Sequence, residues 1–125
     1  MNPFESQFAK LLEDFPSATH THVGDGSYNV VIPSFALPGG WSLPTVTVRF
    51  IAPVGYPISR PDCFWCDHGL TLATGGVPQN TGTNPMPGGP APLLWFSWHV
   101  SAWSPNADNL RTYVHVIKKR FEEKR

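Results

Sequence analysis

Three runs decide the fold: Thr19-His20-Thr21-His22-Val23, Tyr28-Asn29-Val30-Val31-Ile32 and Thr45-Val46-Thr47-Val48-Arg49-Phe50-Ile51. The first and third alternate with the two-residue period of a strand, and the second is rich in β-branched residues. Gly24-Asp25-Gly26 is a hairpin turn signal between the first two, and Leu37-Pro38-Gly39-Gly40 is a turn before the third. Strands joined by short turns make an antiparallel meander. A fourth short strand is expected near Asp62–Cys66, for about four strands in all.

Outward from the meander the period changes. Phe4, Phe8, Leu11, Leu12 and Phe15 recur at helical spacing, with Glu5, Lys10, Glu13 and Asp14 opposite them and Pro16 as a stop. That predicts an amphipathic helix over about 3–15. Near the other end, Ser104-Pro105 reads as the cap and first turn of a second helix whose buried stripe is Leu110, Val114, Ile117 and Phe121. Between them, residues 73–92 hold five Gly and five Pro with no apolar period, a long loop of the kind that is often functional. Leu93-Leu94-Trp95-Phe96-Ser97-Trp98-His99 is apolar enough to be largely buried. Helix, meander, irregular segment and helix make an α+β architecture, read as a single domain over 1–125.

The 125 residues carry 9 Lys+Arg and 9 Asp+Glu, so the formal net charge is zero and there is no general pull toward nucleic acid or an anionic membrane. Charged residues are 14% and apolar ones 41%, the reverse of a disordered chain. Arg111–Arg125 has a local excess of four positive charges, which reads either as a solvated helix end or as a docking face for an acidic partner. Met1-Asn2-Pro3-Phe4-Glu5 lacks the basic start and apolar core of a signal peptide, and no stretch approaches 18 apolar residues. With two cysteines separated by only two residues, these features predict a cytoplasmic protein with reduced thiols.

Those thiols, Cys63 and Cys66, are the residues most able to carry chemistry. Two buried hydrophobes, a zinc site completed by His68 and His99, a redox pair, or one nucleophile are all readings of a CxxC segment. No second CxxC supports zinc, and the Gly69 that follows argues against a redox helix. On an extended segment the two thiols face opposite sides, so at most one serves any one site. Asp67 and His68 adjoin Cys66, and His99, with Ser97 on its strand face, is a second candidate imidazole. His20, His22 and His115 read as packing or surface residues. A serine hydrolase is disfavoured, because no GxSxG elbow occurs.

Tyr56-Pro57-Ile58-Ser59-Arg60-Pro61 resembles the Tyr-Pro-x-x-x-Pro turn after the third strand of ubiquitin-conjugating enzymes, and Trp103-Ser104-Pro105 resembles the Trp-x-Pro that opens the helix beyond their active site. The wider pattern adds Pro61-Asp62-Cys63-Phe64-Trp65, Leu94-Trp95-Phe96-Ser97-Trp98-His99 and Asp108-Asn109-Leu110. It is similar to prokaryotic family E of the ubiquitin-conjugating (UBC-like) superfamily, over about residues 20–122. The resemblance implies a UBC-like fold and an enzyme that takes a bacterial ubiquitin-like protein from an adenylating enzyme as a cysteine thioester and transfers it to an amine. It also implies operon partners including a deconjugating peptidase, a role for some such systems in antiphage defence, and no cofactor or metal.

The His-Pro-Asn motif and the cysteine that eukaryotic enzymes place about eight residues before that tryptophan are both missing: position 95 is Trp, and no cysteine lies beyond Asp67. The resemblance therefore assigns the nucleophile to Cys63, with Cys66 as the alternate. It gives the proton-accepting or thiol-activating role to His99 or His68, and an oxyanion-facing amide to Asn80 or Asn84. The alternative is a catalytically inactive UBC-like module that binds a ubiquitin-like protein or its activating enzyme.

Overall fold

The period-two pattern of the third run becomes a two-faced strand: Thr45–Ala52 buries Val46, Val48, Phe50 and Ala52 and turns the residues between them outward. The computed structural model describes residues 2–125. In chain order its elements are α1 (Pro3–Asp14), β1 (Thr19–His22), β2 (Tyr28–Ala36), β3 (Thr45–Ala52), β4 (Phe64–Asp67), β5 (Thr81–Gly82), β6 (Leu93–Phe96) and α2 (Leu110–Glu122). The strands form one antiparallel sheet in the order β1-β2-β3-β4-β6-β5.

Six strands replace the expected four or so. The run around Leu93–Phe96 pairs with β4, and Thr81–Gly82 interrupts the Gly/Pro segment as a two-residue edge strand. Both additions are non-local pairings that no local period announces. β2 also runs past its expected end at Ile32. It passes Pro33 through a register shift between Ile32 and Phe35, where Ser34 has a φ of 54°. A bulge tolerates the proline because no ladder donor is required there.

Helix α1 starts where its chemistry dictates. The Asn2 side-chain oxygen accepts from Glu5 N at 2.8 Å, and Pro3 occupies the first turn. Phe4, Phe8 and Leu11 are buried in one core with Leu110, Tyr113, Val114, Ile117 and Phe121 of α2 and the inner sheet face. Stacked Phe64 and Phe96 (4.6 Å between ring centroids) meet Phe121 edge-on at its centre. Helix α2 begins at Leu110, not at Ser104-Pro105. Ser104 N donates to Asp108 Oδ2 at 2.6 Å and Asp108 N donates to Ser104 O at 2.7 Å, which closes residues 104–108 into a separate turn. Asn109 then caps the helix in a reciprocal box with Thr112.

Candidate functional site

Pro61-Asp62-Cys63 leads into β4, and the pleat of that strand separates the two thiols. Phe64 and Cys66 are in the helix-side core, whereas Trp65 belongs to a small outer-face cluster with Met86 and Leu93, against which Cys63, Ile51 and Trp95 pack. Cys66 is fully buried; burial, with the Asp67 carboxylate adding to it, pushes its thiol far above the ordinary range. Such a thiol is neither accessible nor ionised. Cys63 is half-buried and lines a depression of about 200 Å³ with Ile51, Pro53, Arg60, Asp62 and Trp65. Partial burial raises its pKa, the Trp95 side chain opposes the rise as a hydrogen-bond donor, and Asp62 adds to it. Cys63 is therefore a thiol at rest and needs a proton acceptor before it can attack.

A candidate acceptor is anchored on the residue that precedes Cys63. His99 Nδ1 donates to Asp62 Oδ1 at 2.7 Å and to the Asp62 carbonyl at 2.9 Å. Both partners are acceptors, so the proton of a neutral imidazole belongs on Nδ1 and Nε2 is left with a free lone pair. The two side chains are 56% and 65% exposed. A pair so solvated contributes at most about 1 kcal/mol of stability, and its value lies in orienting the ring. Asp62, not Ser97, is thus the partner of His99. Sequence reasoning missed Asp62 in this role: the two residues are 37 positions apart, and the only signal was its adjacency to Cys63.

The antiparallel registers align further residues with Cys63. One step beyond the Phe50–Phe64 and Phe64–Phe96 pairs, Cys63 falls between Ile51 of β3 and Ser97. Ser97 N in turn donates to the Asn80 carbonyl at 2.8 Å. Asn80 lies two strand spacings, about 10 Å, from Cys63 across this row. Its φ of 61° is left-handed, a conformation asparagine tolerates better than most residues. Asn84 instead gives its carbonyl to Trp65 Nε1 at 2.8 Å. Asp67 and His68 lie at the far end of β4, about 13 Å of strand from Cys63. Asp67 Oδ1 accepts from Thr47 N at 2.8 Å, and His68 is an exposed turn residue. Among the described residues no three His, Cys, Asp or Glu side chains are gathered to hold a metal ion.

The family landmarks meet in space. Trp103 Nε1 donates to the Pro57 carbonyl at 2.7 Å, and Gln7 Oε1 accepts from both Tyr56 OH and Leu110 N, tying α1, the Tyr56–Pro61 turn and the start of α2 together. Behind the site Arg120, fully buried, donates to the main-chain oxygens of Gln79, Glu123 and Arg125 and so holds the segment that presents Asn80. A helix-backed antiparallel sheet with this clasp ahead of its last helix frames the site. The model of Prokaryotic E2 family E matches residues 9–124, and the chain belongs to that family. No curated protein and no solved structure shows significant similarity to it. No helix among the described residues is long and apolar enough to cross a membrane.

Proposed function

We propose that this chain is a conjugating enzyme that accepts a bacterial ubiquitin-like protein from an adenylating enzyme as a thioester on Cys63 and transfers it to a target amine. The observation that carries the reading is a half-buried thiol opening onto the outer-face depression, with the Asp62–His99 pair beginning at the neighbouring residue. Family membership supports the two partner classes. A deconjugating peptidase of the same operon, a cytoplasmic setting and a part in antiphage defence belong to the same reading.

In the first step the Cys63 sulfur attacks the carbonyl carbon of the activating enzyme's thioester. A new S–C bond forms, the old one breaks, and the departing thiolate takes up the proton that Cys63 gave up. The bonds exchanged are of similar energy, so proton transfer and access set the rate. In the second step an amine attacks the Cys63 thioester, Cys63 leaves as thiolate, and His99 Nε2 takes the amine proton while Asp62 holds the imidazolium. The Asn80 amide is the candidate donor to the oxyanion. Cys66 has no part in either step, and Asp67 and His68 fall away with it.

The raised Cys63 pKa favours one second reading, a non-catalytic module that binds the ubiquitin-like protein or its activating enzyme. Partner binding would then be indifferent to removal of both thiols. Incubation of Cys63→Ala and Cys66→Ala variants with activating enzyme, ubiquitin-like protein and ATP, read by intact-mass spectrometry, separates the readings. The conjugating reading expects an adduct on Cys66→Ala alone; an adduct on Cys63→Ala would end it.

A further inference from the structure

The cross-strand row through Cys63 continues on its other side to an unused polar group. Asn29 of β2 pairs directly with Ile51, the residue that faces Cys63, so Asn29, Ile51 and Cys63 project from the same outer face of three neighbouring strands. Asn29 is only 6% exposed. Its Nδ2 donates to the Pro87 carbonyl at 2.8 Å, which fixes the amide's orientation, because the reverse placement would set oxygen against oxygen. Its Oδ1 is buried without a hydrogen-bond donor. A buried acceptor left in this state keeps the full cost of its desolvation, which a donor would offset.

That side chain lines a second outer-face depression, of about 320 Å³, which shares Ile51 and Pro53 with the depression at Cys63. The segment that encloses Asn29 packs closely on its amide nitrogen. Gly88 has a φ of 74°, and a Cβ there would lie 3.1 Å from Asn29 Nδ2. The result is one trough, apolar along Ile51, Pro53 and Pro87 with Asp25, Ser27, Arg60 and Asp62 also lining it, that ends at a thiol and holds one buried acceptor, Asn29 Oδ1, without a donor.

We propose that this trough is the subsite for the extended C-terminal tail of the ubiquitin-like protein, with one tail backbone N–H donating to Asn29 Oδ1 while the terminal carbonyl carbon reaches Cys63. The proposal rests on Cys63 as the acceptor thiol. Two strand spacings separate Asn29 from Cys63, about 10 Å, which an extended peptide covers in about three residues. The donated amide therefore lies about three residues before the tail's end. Apolar walls of Ile51, Pro53 and Pro87 favour an uncharged tail over that stretch.

The test needs no native partner. Short uncharged peptides ending in cysteamine, offered as mixed disulfides with 2-mercaptoethanol, exchange onto Cys63: its thiolate attacks, 2-mercaptoethanol leaves as thiolate, and the peptide is tethered. Each peptide in the series carries one backbone N-methyl group at a different position. The exchange constant, read by mass spectrometry with the adduct mapped to Cys63, is expected to fall about fivefold for one N-methyl position, about three residues from the thiol end, as for one lost hydrogen bond. The Asn29 side-chain amide resonances should shift on tethering, and Asn29→Ala should remove the position dependence. The scan on the unmodified chain stands even if that variant folds poorly. Uniform exchange across the series overturns the trough and leaves Cys63 as the acceptor untouched. Failure of Cys63 to take any peptide overturns the acceptor reading, and the trough with it.

Discussion

Arg120 is the residue whose loss should travel furthest through this fold. It is fully buried, and its guanidinium donates to the main-chain oxygens of Gln79, Glu123 and Arg125, at 2.8 Å each, and lies 5.1 to 5.9 Å from the ring centroids of Phe96, Trp98 and Trp41. Burial and the Arg125 charge both lower its pKa, a sign of the desolvation the group carries. Three bonds from a charged donor amount to about 4–5 kcal/mol at the lower end of their range. Relief of desolvation returns about 1–2 kcal/mol of that in Arg120→Ala, for a net loss of about 3 kcal/mol. Urea unfolding should show a lower midpoint at unchanged slope. Hydrogen exchange should speed up locally at Ser97, whose amide bonds to Asn80 beside the released Gln79. Arg111→Ala loses two exposed ion pairs, to Glu13 and Asp14, and one solvent-exposed bond to the Lys10 carbonyl, and should cost only about 1 kcal/mol. If Arg120→Ala costs as little, the clamp is not what holds this loop.

Other expectations follow from the site and the core. His99→Gln should slow amine transfer about a hundredfold while thioester loading changes only a few-fold, because the base is needed most when the amine loses its proton; equal losses in both steps, read by single-turnover gels, would refute that division. Alkylation of Cys63 by iodoacetamide should rise with pH to a midpoint above that of a free thiol, and Asp62→Asn should lower this midpoint only in part, since burial is the larger cause. Stability should fall at alkaline pH: Cys66, Tyr56 and Tyr113 all have raised pKa values, so above about pH 9 the unfolded chain binds fewer protons than the folded one. The slope is about −1.4 kcal/mol per pH unit for each group so released, and Cys66→Ala should make it shallower in urea titrations at pH 9 to 10.

What the chain declared in advance was whatever local period could encode. Phe4, Phe8 and Leu11 announced α1, and the alternation of Thr45–Ile51 announced a half-buried strand. The parity argument that put Cys63 and Cys66 on opposite faces needed only the pleat. Pairings across long separations were not legible. β5 has just two residues and exists because Ser97 and its neighbours offer it an edge. The start of α2 was misread because Ser104-Pro105 is a good helix opening on its own; the Asp108 carboxylate, four residues on, diverts it into a turn. The pairing of Asp62 with His99 and the burial of Asn29 beneath Pro87 are equally tertiary. Both lie where the candidate chemistry is.

The proposed chemistry turns on a covalent bond to one sulfur, that of Cys63. The protein, its activating enzyme, the ubiquitin-like protein and ATP would be run on a non-reducing gel beside a reduced sample, with Cys63→Ala, Cys63→Ser and Cys66→Ala in parallel. A conjugating enzyme that uses Cys63 gives a reductant-sensitive band at the summed mass for the unmodified chain and Cys66→Ala, none for Cys63→Ala, and either no adduct or a reductant-resistant one for Cys63→Ser. A charged activating enzyme with no band on the unmodified chain, or a reducible band that survives in Cys63→Ala, would contradict that chemistry.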